Sequence, residues 1–152
     1  MKKSLRLAAA IAATLAAAAP ALSFAATTGV VHRDPGCGCC EKWIAAVRQQ
    51  FGRSIQMTDD TQRPAYRARL GVPGGLSSCH TAVIDGMVFE GHVPVADMQR
   101  VLRERPRGVT GLAVAGMPMG APGMEMPGMR GSAYVVTAFG PGGTRVYARH
   151  EG

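Results

Sequence analysis

Hydrophobic and polar positions follow two rhythms along this chain, one of period two and one near 3.6. Gly29 to Arg33 (GVVHR) reads as a short strand that stops at the turn signal Asp34-Pro35-Gly36. From Glu41 to Phe51 the residues Trp43, Ile44, Val47 and Phe51 recur at helical spacing, and Gly52 supplies the stop. Ser54 to Thr58 alternates again and suits a second strand. Asp59, Asp60 and Thr61 then offer N-caps for a helix running to Leu70, with Pro64 tolerable only in its first turn. Thr81 to Ile84 and Met87 to Glu90 flank Asp85-Gly86, a two-residue hairpin signal. Pro94 opens a further helix over Val95 to Arg105, with Val95, Met98, Val101 and Leu102 on one face. Residues 106–131 are rich in Met, Gly and Pro without periodicity, which predicts an irregular segment. Tyr134 to Phe139 and Thr144 to Arg149 flank Gly140 to Gly143 as a terminal hairpin.

The expected order is therefore strand, helix, strand, helix, hairpin, helix. A right-handed crossover between parallel first and second strands, followed by an antiparallel pair, makes a small α/β layer. This is the β-α-β-α-β-β-α order of a thioredoxin-like domain. The sequence Cys37-x-x-Cys40 falls where the first strand gives way to the first helix. A helix N-terminus there presents free N–H groups and the positive dipole end, which favour thiolate.

The N-terminus changes the charge picture. Lys2, Lys3 and Arg6 precede an Ala/Leu/Ile run from Leu7 to Ala19, Pro20 breaks it, and Ser23-Phe24-Ala25 supplies small residues at a cleavage site. That combination predicts a secretory signal peptide, residues 1–25, and a single domain over 26–152. The apolar run is too short to cross a bilayer, so no membrane association is expected after cleavage. Removing 25 of 152 residues leaves 127, and losing three of 17 basic residues against 10 acidic ones leaves a net charge of +4. The remaining basic residues are scattered, unlike the clustered footprint of a nucleic-acid binder. No twin arginine precedes the run, so export in the unfolded state is expected, which argues against a cofactor inserted in the cytoplasm.

The cysteines supply the chemistry. Cys37, Cys39 and Cys40 crowd one turn, where a cross-link closes almost no loop and adds little as a staple. In a thioredoxin-like layout the loop before the third strand faces that turn. It carries Ser78-Cys79-His80, so Cys79 is expected to join the other three with His80 close by. Dense thiolates select soft metals, Cu(I) and Zn(II) foremost. Zinc prefers ligand pairs separated in sequence. Cu(I) accepts low coordination, and thiolates can bridge two copper ions, so the crowding suits copper, as one ion or several.

Met117, Met119, Met124, Met126 and Met129 point the same way, because thioether is a neutral soft ligand that needs no deprotonation. The competing reading is a flexible apolar loop filling gaps over the core. The other histidines divide. His32 could face either side of its strand, His92 reads as a loop residue ahead of a helix, and His150 lies near the C-terminus. Trp43 and Phe51 read as core, and Asp59-Asp60 as a solvated cap.

Five motifs taken together, Cys37-Gly38-Cys39-Cys40, Ser78-Cys79-His80-Thr81, Gly91-His92-Val93-Pro94, Gly111-Leu112-Ala113-Val114 through Gly116-Met117-Pro118, and Gly123-Met124-Glu125, resemble the CopG-type periplasmic copper-resistance proteins. The resemblance runs over residues 29 to 150. It implies an exported thioredoxin-like domain that binds copper through Cys37, Cys39, Cys40 and Cys79, in copper resistance. Met117 and Met124 match the family's methionines, while Ala115 and Ala121 stand where proline and serine are expected. His80, Met117 and Met124 are candidate auxiliary ligands, and the expected partners are copper ions and a periplasmic donor or acceptor protein. The alternative is a thiol–disulfide or copper oxidoreductase, with Cys37 attacking and Cys40 resolving. Cys39, Cys79 and the methionines favour metal, because a dithiol oxidoreductase needs two cysteines and a docking groove.

Overall fold

The computed structural model describes residues 29–52 and 54–151. The signal-peptide expectation lies outside them. Among the described residues, seven strands form one mixed sheet, flanked by three α-helices and a short 3-10 turn, in the order β1 (Gly29–Arg33), α1 (Gly38–Phe51), β2 (Gln56–Asp59), α2 (Arg63–Arg69), the 3-10 turn (Gly74–Leu76), β3 (His80–Ile84), β4 (Met87–Glu90), α3 (Val95–Glu104), β5 (Gly111–Ala113), β6 (Tyr134–Gly140) and β7 (Gly143–His150). The strand order is β2-β1-β3-β4-β5-β6-β7. β1 pairs parallel with β2 and antiparallel with β3, β3 and β4 form the hairpin, and β4 pairs parallel with β5. Asp85 and Gly86 both take positive φ, 51° and 76°, as a two-residue turn of this kind requires.

Alternation along the strands sorts the side chains into two layers. On one face Val31, Ala82, Ile84, Phe89, Leu112 and Val136 pack under α1 and α3, through Trp43, Ile44, Val47, Met98 and Val101. On the other, Val88, Ala113 and Phe139 meet Val72 and the α2 side of the chain. Trp43 is fully buried, and its indole N–H donates to the Val93 carbonyl at 2.9 Å, tying α1 to the segment that opens α3.

Two expectations need correction. The 106–131 segment is not irregular throughout, since Gly111–Ala113 forms β5 and joins the C-terminal hairpin to the sheet. Three residues are too few for a period to register, and pairing with β4 and β6 makes the strand. The second helix is also shorter than expected: Asp60 does serve as its turn acceptor, taking the Gln62 N–H at 2.7 Å, but α-helix begins only at Arg63.

Candidate metal centre

The C-terminal end of β1 and the start of β3 lie side by side, with Arg33 opposite His80 in the register. The Asp34 N–H donates to the Cys79 carbonyl at 3.0 Å. This brings the α1 N-terminus, carrying Cys37, Cys39 and Cys40, against Cys79. All four sulfurs lie within 4.8 Å of one another. Cys79 Sγ is 3.4 Å from Cys40 Sγ and 4.0 Å from Cys39 Sγ, and Cys39 Sγ is 3.4 Å from Cys37 Sγ.

Cys37 and Cys40 are joined as a disulfide, leaving Cys39 and Cys79 as free thiols. The expected set of four thiolates is therefore not the state seen. The helix start explains the pairing, because it sets the two Cα atoms 5.4 Å apart, within disulfide reach. The bond has the placement of a redox pair, at a helix N-terminus with little loop to close.

His80 alternates onto the α1 face of the sheet, where its fully buried ring lies 4.3 Å from the Trp43 ring. Its Nδ1 is 3.6 Å from Cys79 Sγ. Its Nε2 is buried with no hydrogen-bond partner among the described residues.

His92 is a candidate ligand that the sequence reading missed. It is not a surface loop residue but fully buried, with Nε2 3.2 Å from Cys79 Sγ. Gly91 turns it inward at φ +69°, where a Cβ would come within 2.5 Å of the Val114 carbonyl oxygen. His92 Nδ1 lies 2.8 Å from the Pro122 carbonyl, which only an N–H can satisfy, so the lone pair is on Nε2 and faces the sulfur. The signal available in the sequence was the Gly-His pair after an apolar strand.

The remaining candidates sort cleanly. His32 bonds Asp60 at 2.8 Å and stacks on Tyr66, and His150 bonds Asp97 at 2.7 Å; neither belongs to the sulfur cluster. Met117 and Met124 line a cavity together with Cys39.

Burial, and secondarily the charge of neighbouring Cys39, push the Cys79 thiol up to about 12. Burial likewise lowers His80 and His92, with the neighbouring His92 adding to the effect at His80. The site thus holds a protonated buried thiol beside two uncharged imidazoles. Such a set lacks a positive charge, and a soft cation supplies one while displacing the thiol proton. Sulfur with imidazole nitrogen fits copper or zinc and excludes ions that need oxygen shells.

These histidines also set a pH dependence. A folded-state pKa below the ordinary value means that the unfolded chain takes up protons first. The stability held by neutral His80 is then complete above its ordinary value of 6.5 and is lost as pH falls below it. We expect the urea midpoint of the metal-free chain to drop between about pH 7.5 and about pH 5.5, and His80→Phe to flatten that slope. An unchanged slope in the variant would place the titration elsewhere.

Fold and site define a mixed α/β protein whose sulfur-rich cluster, flanked by two buried histidines, is suited to metal. The chain belongs to the CopG copper-resistance family. Two solved structures of the copper resistance protein CopG, forms 1 and 2, match it at 42% and 41% identity with TM-scores of 0.74 and 0.73. Each match covers 82% of this chain and 98% of the other. The family described as a protein of unknown function, DUF411, matches residues 76–124, which hold Cys79, His80, His92, Met117 and Met124. No curated protein matches the chain. The family resemblance read from the five motifs is thereby borne out.

Proposed function

We propose that this chain is a periplasmic copper-binding protein of copper homeostasis, which holds Cu(I) in its reduced form through Cys37, Cys39, Cys40 and Cys79. His80 and His92 are its nitrogen donors. The observation that carries the reading is the convergence of four sulfurs within 4.8 Å, with a second set of Cys79, His80 and His92 equally close. Cys79 belongs to both sets, so copper at one shares a ligand with copper at the other, and more than one ion can be held. The solved CopG structures, titled as copper resistance proteins, support copper as the metal.

The N-terminal charged, apolar and small-residue pattern supports export, with cleavage after Ala25. A thioredoxin-like core is supported by the β-α-β-α-β-β-α order and by β3 running antiparallel to β1.

The Cys37–Cys40 disulfide favours a second reading, a thiol–disulfide or copper oxidoreductase. Against it stands Cys79, whose thiol is held protonated and buried next to the bond where a substrate would dock. Copper binding through four thiolates requires two electrons from an added reductant to open that disulfide into two thiolates. We therefore expect the reduced chain, titrated anaerobically with Cu(I) against a competing chelator, to bind tightly and lose its free thiols. The oxidised chain, left with Cys39, Cys79 and the histidines, binds more weakly. Equal and weak binding by both forms would overturn the metal reading in favour of the oxidoreductase.

A further inference from the structure

The sheet ends on two edges of different make. At one lies β2, only 4 residues long, with its Asp59 held by Arg33. At the other lies β7, 8 residues long and paired only with β6 among the described residues. An edge strand leaves its outward-facing N–H and C=O groups unpaired, which makes it a template for another strand. Gly143 to Val146 are exposed, Val146 at 52%, and so is Arg149. The strand is nevertheless held firmly from behind. Arg100 donates to the Tyr147 hydroxyl at 2.9 Å, and His150 Nε2 lies 2.7 Å from the Asp97 carboxylate on α3. A strand fixed in this way has little order left to gain on binding, which lowers the cost of docking.

The free edge is basic. Arg145 and Arg149 make no ion pair among the described residues, and neither does Arg107. Arg107 and Arg145 together line a cavity of about 150 Å3 at the start of β7, which also touches the buried Ala138 and Phe139. That is a fitting place for one carboxylate side chain between two guanidinium groups. Arg145 pairs with Ala138 and Arg149 with Val135, on either side of the bulge between Val136 and Thr137. Alternation along β6 therefore puts the two arginines on opposite faces of the sheet.

These charges select among occupants. Antiparallel pairing of two copies centred on Tyr147 sets Arg145 against Arg149 twice, and like charges directly opposite are destabilising. An acidic strand turns both contacts favourable. Single-stranded nucleic acid asks for aromatic faces on which bases stack. Tyr147 does not offer one freely, since it is half-buried with the Arg100 guanidinium 4.3 Å from its ring centre.

We propose that β7 is a docking edge for an extended acidic segment of a partner protein, which joins the sheet as a further strand. Main-chain hydrogen bonds hold the segment, one carboxylate enters the Arg107–Arg145 cavity and another faces Arg149. Val146 gives it an apolar contact. The pairings across the sheet put the His150 end of β7 at the same end as Arg33 and His80, so the docked segment leads towards the sulfur cluster. Docking at this edge is independent of whether the cluster holds copper.

The test uses the purified full chain and a synthetic peptide, acetyl-Thr-Glu-Val-Glu-Val-Glu-Thr-amide. Its controls are the same peptide with lysine for glutamate, a form N-methylated at alternate residues, and oligothymidylate. The acidic peptide should slow amide hydrogen exchange in β7 about tenfold at saturation, leave β2 unchanged, and bind more weakly as salt rises. The lysine and N-methylated peptides should give no protection. The double variant Arg145→Glu, Arg149→Glu should bind the acidic peptide about tenfold more weakly and accept the lysine peptide instead. Both positions are exposed, and circular dichroism checks the fold. The peptide controls on the unaltered chain decide the matter if the variant does not fold. No protection of β7 by the acidic peptide, or equal binding of the acidic and lysine peptides, overturns the proposal. Full binding of the N-methylated form overturns strand addition, and displacement of the peptide by oligothymidylate makes the edge a nucleic-acid surface instead.

Discussion

Changing Cys79 to serine is expected to lower the Cu(I) affinity of the reduced chain by about 100-fold or more while leaving its fold intact. The size follows from position. Cys79 Sγ is the one sulfur within contact range of two other cysteines and both buried histidines, at 3.4 Å and 4.0 Å from Cys40 and Cys39 and at 3.6 Å and 3.2 Å from His80 and His92. Losing it removes a ligand from both candidate donor sets at once. Serine is nearly the same size, so packing around β3 changes little, but its oxygen is a hard donor that a soft cation disfavours. The burial that raises the thiol to about 12 weakens metal binding only through the proton that must leave, and a bound cation offsets that. Competition against a high-affinity chelator reads the loss, and a thermal scan of the variant checks the fold. An affinity that ignores the substitution would remove Cys79 from the site. The measurement to make next would then be the redox potential of Cys37 and Cys40.

That Cys79 would meet the other three sulfurs was legible because it follows from topology. The turn after β1 and the loop before β3 lie at the same end of the sheet whenever those strands are antiparallel neighbours, and short-range signals were enough to place both. The Asp85-Gly86 turn, the Trp43-Ile44-Val47 stripe and the Pro94 helix start are all local chemistry of that kind. His92 was not legible, since its burial depends on a carbonyl at Pro122 and on Gly91 turning the chain beneath Val114. Those partners are distant in sequence and come together only in the fold. The state of Cys37 and Cys40 was not legible either, because the spacing permits both a disulfide and a pair of metal ligands. β5 went unread for a third reason: its three residues are stabilised by parallel pairing with β4 across the α3 crossover, a contact with no local signature.

Glu90 carries the other large expected effect, although it touches no sulfur. Alternation puts it on the α2 face of β4, where it is fully buried. Three donors converge on its carboxylate, the Ser78 N–H at 2.7 Å, the Thr81 hydroxyl and Arg63 at 3.4 Å, and the Arg67 guanidinium lies 3.7 Å away as a further counter-charge. Burial pushes this carboxyl up, and the Thr81 and Ser78 hydrogen bonds with the charges of Arg63 and Arg67 offset only part of that. Arg63 reaches onward to Asp34 at 2.8 Å, so one network clamps the residues preceding the Cys37 turn and those preceding Cys79. Glu90→Ala leaves two guanidinium groups short of a counter-charge and strands the Ser78 N–H and the Thr81 hydroxyl. A loss of about 3–5 kcal/mol is expected, as for a buried pair with one partner removed. Glu90→Gln keeps an acceptor for Ser78 and should lose less, because an uncharged hydrogen bond survives where the charge pairing does not. The released Ser78-Cys79 segment should also bind copper more weakly, so unfolding by urea and chelator competition should report the same ranking of the two variants. A loss below about 1 kcal/mol for the alanine variant would mean that Asp34 alone compensates Arg63, and that the Cys79 loop is held by the sheet and not by this carboxylate.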